Sequence, residues 1–336
     1  MQTRTLGRNG PHVSAIGLGC MGMSGIYGPA DRSESIATIR AALDAGITLL
    51  DTGDYYGMGH NEMLIRDAIK DVDRDGIVIS VKFGAMRAPD DSFVGIDGRP
   101  AAVKNALAYS LQRLGTDHVD VYRLGRVDPA VRIEDTVGAI AEMIEAGYVR
   151  HVGLSEAGAD TVRRANAVHA VADLQIEYSL ISRGIEDEIL PTCRELGVGI
   201  TAYGVLSRGL LGGGLNGESV TRPGDMRANM PRFRPENLGT NLGLVESLRS
   251  IAERKGASVA QIAIAWVLSR GEDIVPLVGT TKHQRVAEAA EAIDIRLSDD
   301  DLAAIDRAMP PAAVAGERYD ERQMAMLDSE RSAVGS

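Results

Sequence analysis

Two short segments carry an acid, a phenol and an amine on or just after apolar runs: Asp51-Thr52-Gly53-Asp54-Tyr55-Tyr56-Gly57 and Val81-Lys82-Phe83-Gly84. A lysine flanked by Val81 and Phe83 is costly to bury unless a carboxylate pairs with it, and Asp51, on the preceding run of the same kind, is the natural partner. The cation in turn is expected to lower the pKa of a nearby tyrosine, making the Tyr56 phenol a proton donor or base closer to neutral pH. That is equipment for moving one proton. The same residues also read as a buried ion pair beside a loop aromatic, and their types alone leave both readings open.

The elements that would position them follow from periodicity. Short apolar, β-branched runs recur at Ile16–Gly19, Ile47–Gly53, Ile77–Gly84, Val119–Gly125, His151–Glu156, Leu174–Ser179, Val198–Gly204 and Ile274–Gly279, giving eight strand candidates. Helix-like stretches alternate with them: Ser33–Ala45 with Ser33 as a candidate N-cap, Asn61–Ile69, Arg99–Arg113, Ile133–Ala146, Ala159–His169, Glu186–Glu195, Ser258–Ser269 and His283–Ala290. Strand and helix in strict alternation imply parallel pairing through right-handed crossovers, and eight such units predict a closed (β/α)8 barrel. The expectation is one α/β domain over residues 1–336 with an N-terminal hairpin (Thr3–Leu6 and Val13–Ile16, within 1–16) plugging the barrel floor. A long Gly/Pro/Arg-rich loop, 209–237, follows the seventh strand, and a polar tail, 312–336, is expected to be loosely held. Active groups belong at the C-terminal strand ends, where Asp51, Tyr56 and Lys82 fall.

Composition narrows the function classes. The 336 residues are 44% hydrophobic and 25% charged, without an apolar run long enough for a transmembrane helix. Net charge is −11 with no basic cluster, so neither nucleic acid nor an anionic membrane surface is the expected partner; a small molecule is. Cys20 and Cys193 stand far apart, which argues against a disulfide framework, and His60, His118 and His151 lack ligand spacing, so no metal site is expected. The start, Met-Gln-Thr-Arg-Thr-Leu-Gly, lacks the apolar core of a signal peptide, and the expected location is the cytoplasm. Oligomeric state is open.

Taken in order, the motifs resemble those of the aldo-keto reductases, (β/α)8-barrel enzymes that use NADPH to reduce carbonyls. The resemblance runs from Leu18-Gly19-Cys20-Met21-Gly22-Met23 through D-T-G-D-Y-Y-G, V-K-F-G, H-V-G-L-S-E-A (151–157), L-Q-I-E-Y-S-L (174–180), I-L-P-T-C-R-E-L-G (189–197), A-W-V-L (265–268) and I-V-P-L-V-G-T (274–280) to Ala315-Gly316-Glu317-Arg318-Tyr319. Several ordered motifs together are specific where each alone is weak. The resemblance implies Asp51, Tyr56 and Lys82 as catalytic residues. It assigns Ser155, Glu156 and Gln175 to the nicotinamide carboxamide, Tyr203 to stacking under its ring, and the run Gly204, Val205, Leu206, Ser207, Arg208 and Gly209 to the pyrophosphate. Gly279, Thr280, Lys282, Arg285 and Glu288 fall on the segment that binds the adenosine 2′-phosphate, and two cations opening a helix suit a phosphate, implying NADP(H) rather than NAD.

The fourth catalytic member does not carry over. Relatives usually read Tyr-Tyr-Gln-His-Arg-Val-Asp-Pro where this chain has Tyr122-Arg123-Leu124-Gly125-Arg126-Val127-Asp128-Pro129, so Gly125 replaces a histidine that helps orient the substrate carbonyl. Side chains alternate along a strand, so Arg123 points to the same side as Gly125. It is expected to extend into the vacated space as a cationic fork that pairs with Asp51, binds a substrate carboxylate or stabilises an oxyanion; an arginine that only balances interior charge is the other reading. The run Gly212-Gly213-Gly214-Leu215-Asn216-Gly217 satisfies G-x-G-x-x-G but no helix follows it, so it is read as part of the loop rather than a dinucleotide fingerprint. The expected activity is hydride transfer from NADPH to a carbonyl, imine or conjugated enone with Tyr56 as proton donor. A redox-neutral isomerase, dehydratase or cyclase using Tyr56 and Lys82, and a non-catalytic NADPH-binding subunit, are the alternatives.

Overall fold

The computed structural model describes residues 1–215 and 225–331. All eight strand candidates close into one parallel barrel. A hairpin of β1 (Thr3–Thr5) and β2 (His12–Ser14) precedes it, and the barrel strands are β3 (Gly17–Gly19), β4 (Leu49–Gly53), β5 (Val78–Phe83), β8 (Val119–Leu124), β9 (Val149–Ser155), β10 (Val171–Glu177), β11 (Gly199–Tyr203) and β12 (Ile274–Gly279), with β12 pairing back onto β3. A small antiparallel hairpin, β6 (Ala85–Arg87) with β7 (Phe93–Ile96), is inserted after β5. Helices α1 (Arg32–Asp44), α2 (His60–Ile69), α3 (Pro100–Leu114), α4 (Ile133–Glu145), α5 (Ala159–Val168), α6 (Ile189–Leu196), α7 (Pro235–Arg254), α8 (Val259–Ser269), α9 (Gln284–Glu291) and α10 (Asp299–Ala308) follow, with a short α11 (Glu321–Met324) in the tail.

Side chains sort by strand parity. One face of the strands packs on the helices in a large apolar cluster that includes Leu50, Ile79, Tyr122, Leu174 and Trp266. The other face fills the barrel in layers. Its floor is apolar, with Leu49, Val78, Val121, Val275 and Leu277 gathered around Leu6, and the fully buried Leu6 is the plug expected of the N-terminal hairpin. Burying such a leucine stabilises by about 1.5–3 kcal/mol, enough to hold a hairpin of three-residue strands against the barrel. Above the floor the interior turns polar: Asp51, Ser80, Arg123, Asp173, Gln175 and Thr201 are all buried.

Three expectations are corrected. Asp31, not Ser33, caps α1: its carboxylate accepts from the Glu34 amide at 2.8 Å, and Ser33 lies inside the first turn. The long loop ends earlier than 237, because Pro235 supplies the fixed φ of a helix first turn and opens α7; of its glycine run, Asn216 and Gly217 lie outside the described residues. The tail is not loose as far as residue 331, since Arg318, Tyr319 and Leu327 are all buried. Arg318 carries a charge that two buried glutamates at the barrel mouth require, which the tail's polar composition conceals.

Candidate active site

Register brings the proton-handling groups together. Gly53 lies opposite Lys82 and Asp51 opposite Ser80, so Asp51 and Lys82 both project into the barrel from neighbouring strands. The Lys82 Nζ donates to Asp51 Oδ2 at 2.6 Å, with both side chains almost wholly buried, as expected. Asp51 Oδ1 accepts from Gln175 Nε2 at 2.7 Å and from Ser80 Oγ at 3.2 Å, so its lone pairs are filled by three donors from two strands, β5 and β10.

Tyr56 stands beside this pair, its ring centroid 5.2 Å from Lys82 Nζ. The expected lowering of its pKa is not what the surroundings produce. Burial pushes the phenol well above its ordinary value, and the neighbouring Tyr55 and Asp51 add to the rise. The ammonium faces the ring and is tied to Asp51, and burial lowers the Lys82 pKa in its turn. A phenol kept neutral across the physiological range is an acid rather than a base, which suits protonating an oxygen.

Arg123 does not enter the mouth. It is completely buried one layer below, with Nη2 3.1 Å from Asp173 Oδ1 and donating to Ser80 Oγ at 2.9 Å. Thr201 donates to the other Asp173 oxygen. The expected pairing with Asp51 is thus corrected: Asp173, on β10 across the interior, is the nearer carboxylate. Gly153 makes room for this pair, since a Cβ there would fall 2.9 Å from Asp173 Oδ1 and 3.0 Å from Arg123 Nε. The cation nearest the mouth on this segment is Arg126, whose Nη1 donates to the Gly125 carbonyl at 2.7 Å.

On the far side, Tyr203 Oη donates to Glu156 Oε1 at 2.7 Å and lies 3.0 Å from Tyr319 Oη. Burial would raise the Glu156 carboxyl, but the Arg318 guanidinium, donating to both its oxygens, holds it down to about 2. Glu177 is likewise enclosed, accepting from Arg208 at 2.8 Å, Ser182 at 2.8 Å and Arg232 at 3.3 Å. Arg318 also bonds Glu330, and Ser329 donates to Glu156, so the tail is stitched across the mouth. Because the folded Glu156 carboxyl titrates low, the stability it contributes is complete above the ordinary carboxylate range and is lost as pH falls from about 4.5 towards 2. Arg318→Ala should therefore cost about 2–3 kcal/mol at pH 7 and flatten the acid dependence, read by urea unfolding at pH 7 and pH 3.

The remaining cofactor candidates divide between a cradle and a rim. Gly204 and Gly209 hold φ of 68° and 96°, which a side chain would strain, and Arg208 between them is also left-handed at 55°. Leu206 supplies the carbonyl that accepts from the Gly209 and Leu211 amides. Ser155 Oγ and Ser207 Oγ are buried without a hydrogen-bond partner among the described residues. Gly279, Lys282 and Arg285 are exposed at the rim beside α9, and Thr280 Oγ1 accepts from the Lys282 amide at 3.1 Å. Glu288 accepts from Ser258 Oγ at 2.6 Å, and Ser258 borders a groove of about 280 Å³ lined by Gly212, Gly213, Gly214 and Arg249.

Tyr55, Arg126, Glu177, Arg232, Arg318 and Tyr319 at this mouth were not among the candidates. Strand parity continued past Gly53 marks Tyr55; nothing local marks Arg232. Asp54 stands out as well: burial, with Glu62 nearby, raises its carboxyl to about 7, and its Oδ1 lacks a partner among the described residues. A raised carboxyl binds its proton in the fold but not in the unfolded chain between pH 3.8 and 7, so stability falls as pH climbs through that window, by at most about 4 kcal/mol. Asp54→Asn should recover about 1–2 kcal/mol at pH 8 and nothing at pH 4, measured by thermal unfolding at both.

Among the described residues, no helix is long and apolar enough to cross a membrane, and no group of three or more His, Cys, Asp or Glu is placed to hold a metal ion. Residues 15–310 match the model of the aldo/keto reductase family. The chain is 43% identical over 321 residues to a probable aldo-keto reductase 1 of Glycine max, covering 95% of this chain and 92% of that one. Among solved structures it is similar to the glycerol dehydrogenase AKR11B4 from Gluconobacter oxydans (TM-score 0.84, 27% identity, covering 92% of this chain and 96% of that one). It is also similar to an aldo-keto reductase from Klebsiella pneumoniae solved with NADPH (TM-score 0.74, 29% identity, covering 95% and 99%). With a matching family model over most of its length and a closed barrel whose mouth gathers a buried Asp–Lys pair under a tyrosine, the chain belongs to the aldo/keto reductase family.

Proposed function

We propose that the protein is an NADPH-dependent oxidoreductase that reduces a carbonyl, imine or conjugated enone of a small organic substrate, with Tyr56 as the proton donor. The observation that carries this reading is the Asp51–Lys82 ion pair beside a phenol that burial keeps protonated. When bound, NADPH supplies a hydride to the electrophilic carbon, and the protein must then deliver a proton to the adjoining atom. Tyr56 gives that proton, and the Lys82 cation stabilises the phenolate left behind. Asp51 keeps Lys82 charged in an interior that would otherwise neutralise it.

The residues present fit the cofactor. The hydroxyls of Ser155 and Ser207, without partners among the described residues, are buried donors awaiting acceptors, and Gln175 is fixed by its donation to Asp51. Gly204 and Gly209 allow close backbone approach, and Arg208 between them holds the loop to Glu177 at 2.8 Å. Lys282 and Arg285, exposed at the start of α9, favour the additional phosphate of NADP.

Absorbance at the NADPH band tests the reading with a panel of aldehydes, activated ketones, imines and enones. NADPH consumed in step with product is the expected result. Product without net NADPH change would move the protein to redox-neutral proton transfer on the same barrel, and tight NADPH binding without turnover would make it a binding subunit.

A further inference from the structure

We infer that Tyr55 is a second hydrogen-bond donor to the substrate oxygen, seated inside the barrel mouth on two glycines, Gly53 and Gly125. The inference rests on the reductase reading and adds a residue to it.

Strand parity establishes the seat. Asp51 and Arg123 point into the barrel, so positions 53 and 125, two residues further along β4 and the β8 segment, face inwards too. Both are glycine, and the Tyr55 ring fills what they leave open. A Cβ on Gly125 would fall 3.0 Å from the Tyr55 hydroxyl and 3.1 Å from its Cε1. A Cβ on Gly53 would meet the same ring at 3.4 Å. The ring thus spans the ends of β4 and β8 above the end of β5, whose Phe83 carbonyl lies 3.3 Å from the Gly125 Cβ position and accepts from the Gly125 amide at 2.7 Å. Its outer side meets Tyr56 edge to face, with ring centroids 4.9 Å apart. Held between two backbones and a second ring, this phenol has little freedom to turn, which is the preorganisation that makes a donor effective at a developing negative charge.

The two neighbouring phenols divide the work. A carbonyl oxygen has two lone pairs: Tyr56, beside Lys82, gives up its proton to one, while Tyr55, lacking an ammonium beside its ring, keeps its proton and donates to the other. Burial, the first of its influences, pushes Tyr55 to about 12, so it stays a donor throughout turnover. Arg126, fixed to the Gly125 carbonyl, lies on the same side and favours negative charge there. Glycine at 125 is therefore a requirement of the site.

The test uses the full chain with NADPH and the carbonyl substrate it turns over best. Tyr55→Phe, which removes only the hydroxyl, should lower kcat by roughly 10²-fold while the substrate KM, the NADPH dissociation constant from fluorescence quenching and the melting temperature stay near native. Gly125→Ala, placing a methyl against the hydroxyl, should give a loss of similar size. The double variant should be no slower than the slower single, because both changes act on one hydroxyl. A native kcat in Tyr55→Phe, or losses that multiply in the double variant, would overturn the inference and leave the reductase reading standing. A native protein that binds NADPH and consumes none with any carbonyl would overturn both.

Discussion

Replacing Tyr56 by Phe is expected to lower kcat for NADPH-coupled reduction by roughly 10³-fold, with cofactor affinity and melting temperature close to native. The size follows from what the phenol does in this surrounding. It is buried and neutral, so the native rate should stay level from about pH 6 to 9 rather than fall as the tyrosine ionises. Phe keeps the ring that packs on Tyr55 and faces Lys82, so packing changes little and the loss falls on the chemical step. Stopped-flow absorbance under single turnover separates that step from cofactor release. A loss of less than tenfold would show that another group delivers the proton.

Arg123→Leu should cost roughly 3–5 kcal/mol of stability, because it leaves the fully buried Asp173 without its cation. Asp173 is already raised by burial, which Arg123 and Thr201 partly offset, so removing the arginine forces that carboxyl to take up a proton in the fold. Arg123→Met combined with Asp173→Leu, which removes both charges, should recover most of the loss. Arg123 is also one of the charges that hold the Lys82 pKa down, after burial. In molecules that still fold, the alkaline limb of kcat/KM should therefore move to higher pH in Arg123→Leu. Urea unfolding and a pH–rate profile read the two effects. Unchanged stability in the single variant would mean that this ion pair is not a structural necessity.

Arg123 and Gly125 take on a different meaning once the barrel is closed. The arginine was expected to fill the space above it, yet Asp173 comes from β10 and Ser80 from β5, and those two strands approach one another only across the interior. The space over Gly125 is filled from the opposite direction, by Tyr55 on the loop after β4. Likewise the tail reads as polar and unattached until Glu156 and Glu177 are seen as buried acids that need Arg318. In each case the deciding partner comes from a strand or segment not paired with the residue's own, where no local spacing reports it.

The eight-fold alternation, the inward parity of Asp51, Lys82 and Arg123, and the Asp51–Lys82 pairing are legible in the order of residues, because they depend on the two-residue period of a strand and on the cost of burying a lone charge on adjacent strands. Which acid receives Arg123, the dominance of burial in setting the Tyr56 pKa, and the places of Tyr55 and the tail at the mouth emerge only in the folded barrel. Those outcomes depend on distances across a closed barrel and on how much water it excludes, and both arise only when strands far apart in sequence meet.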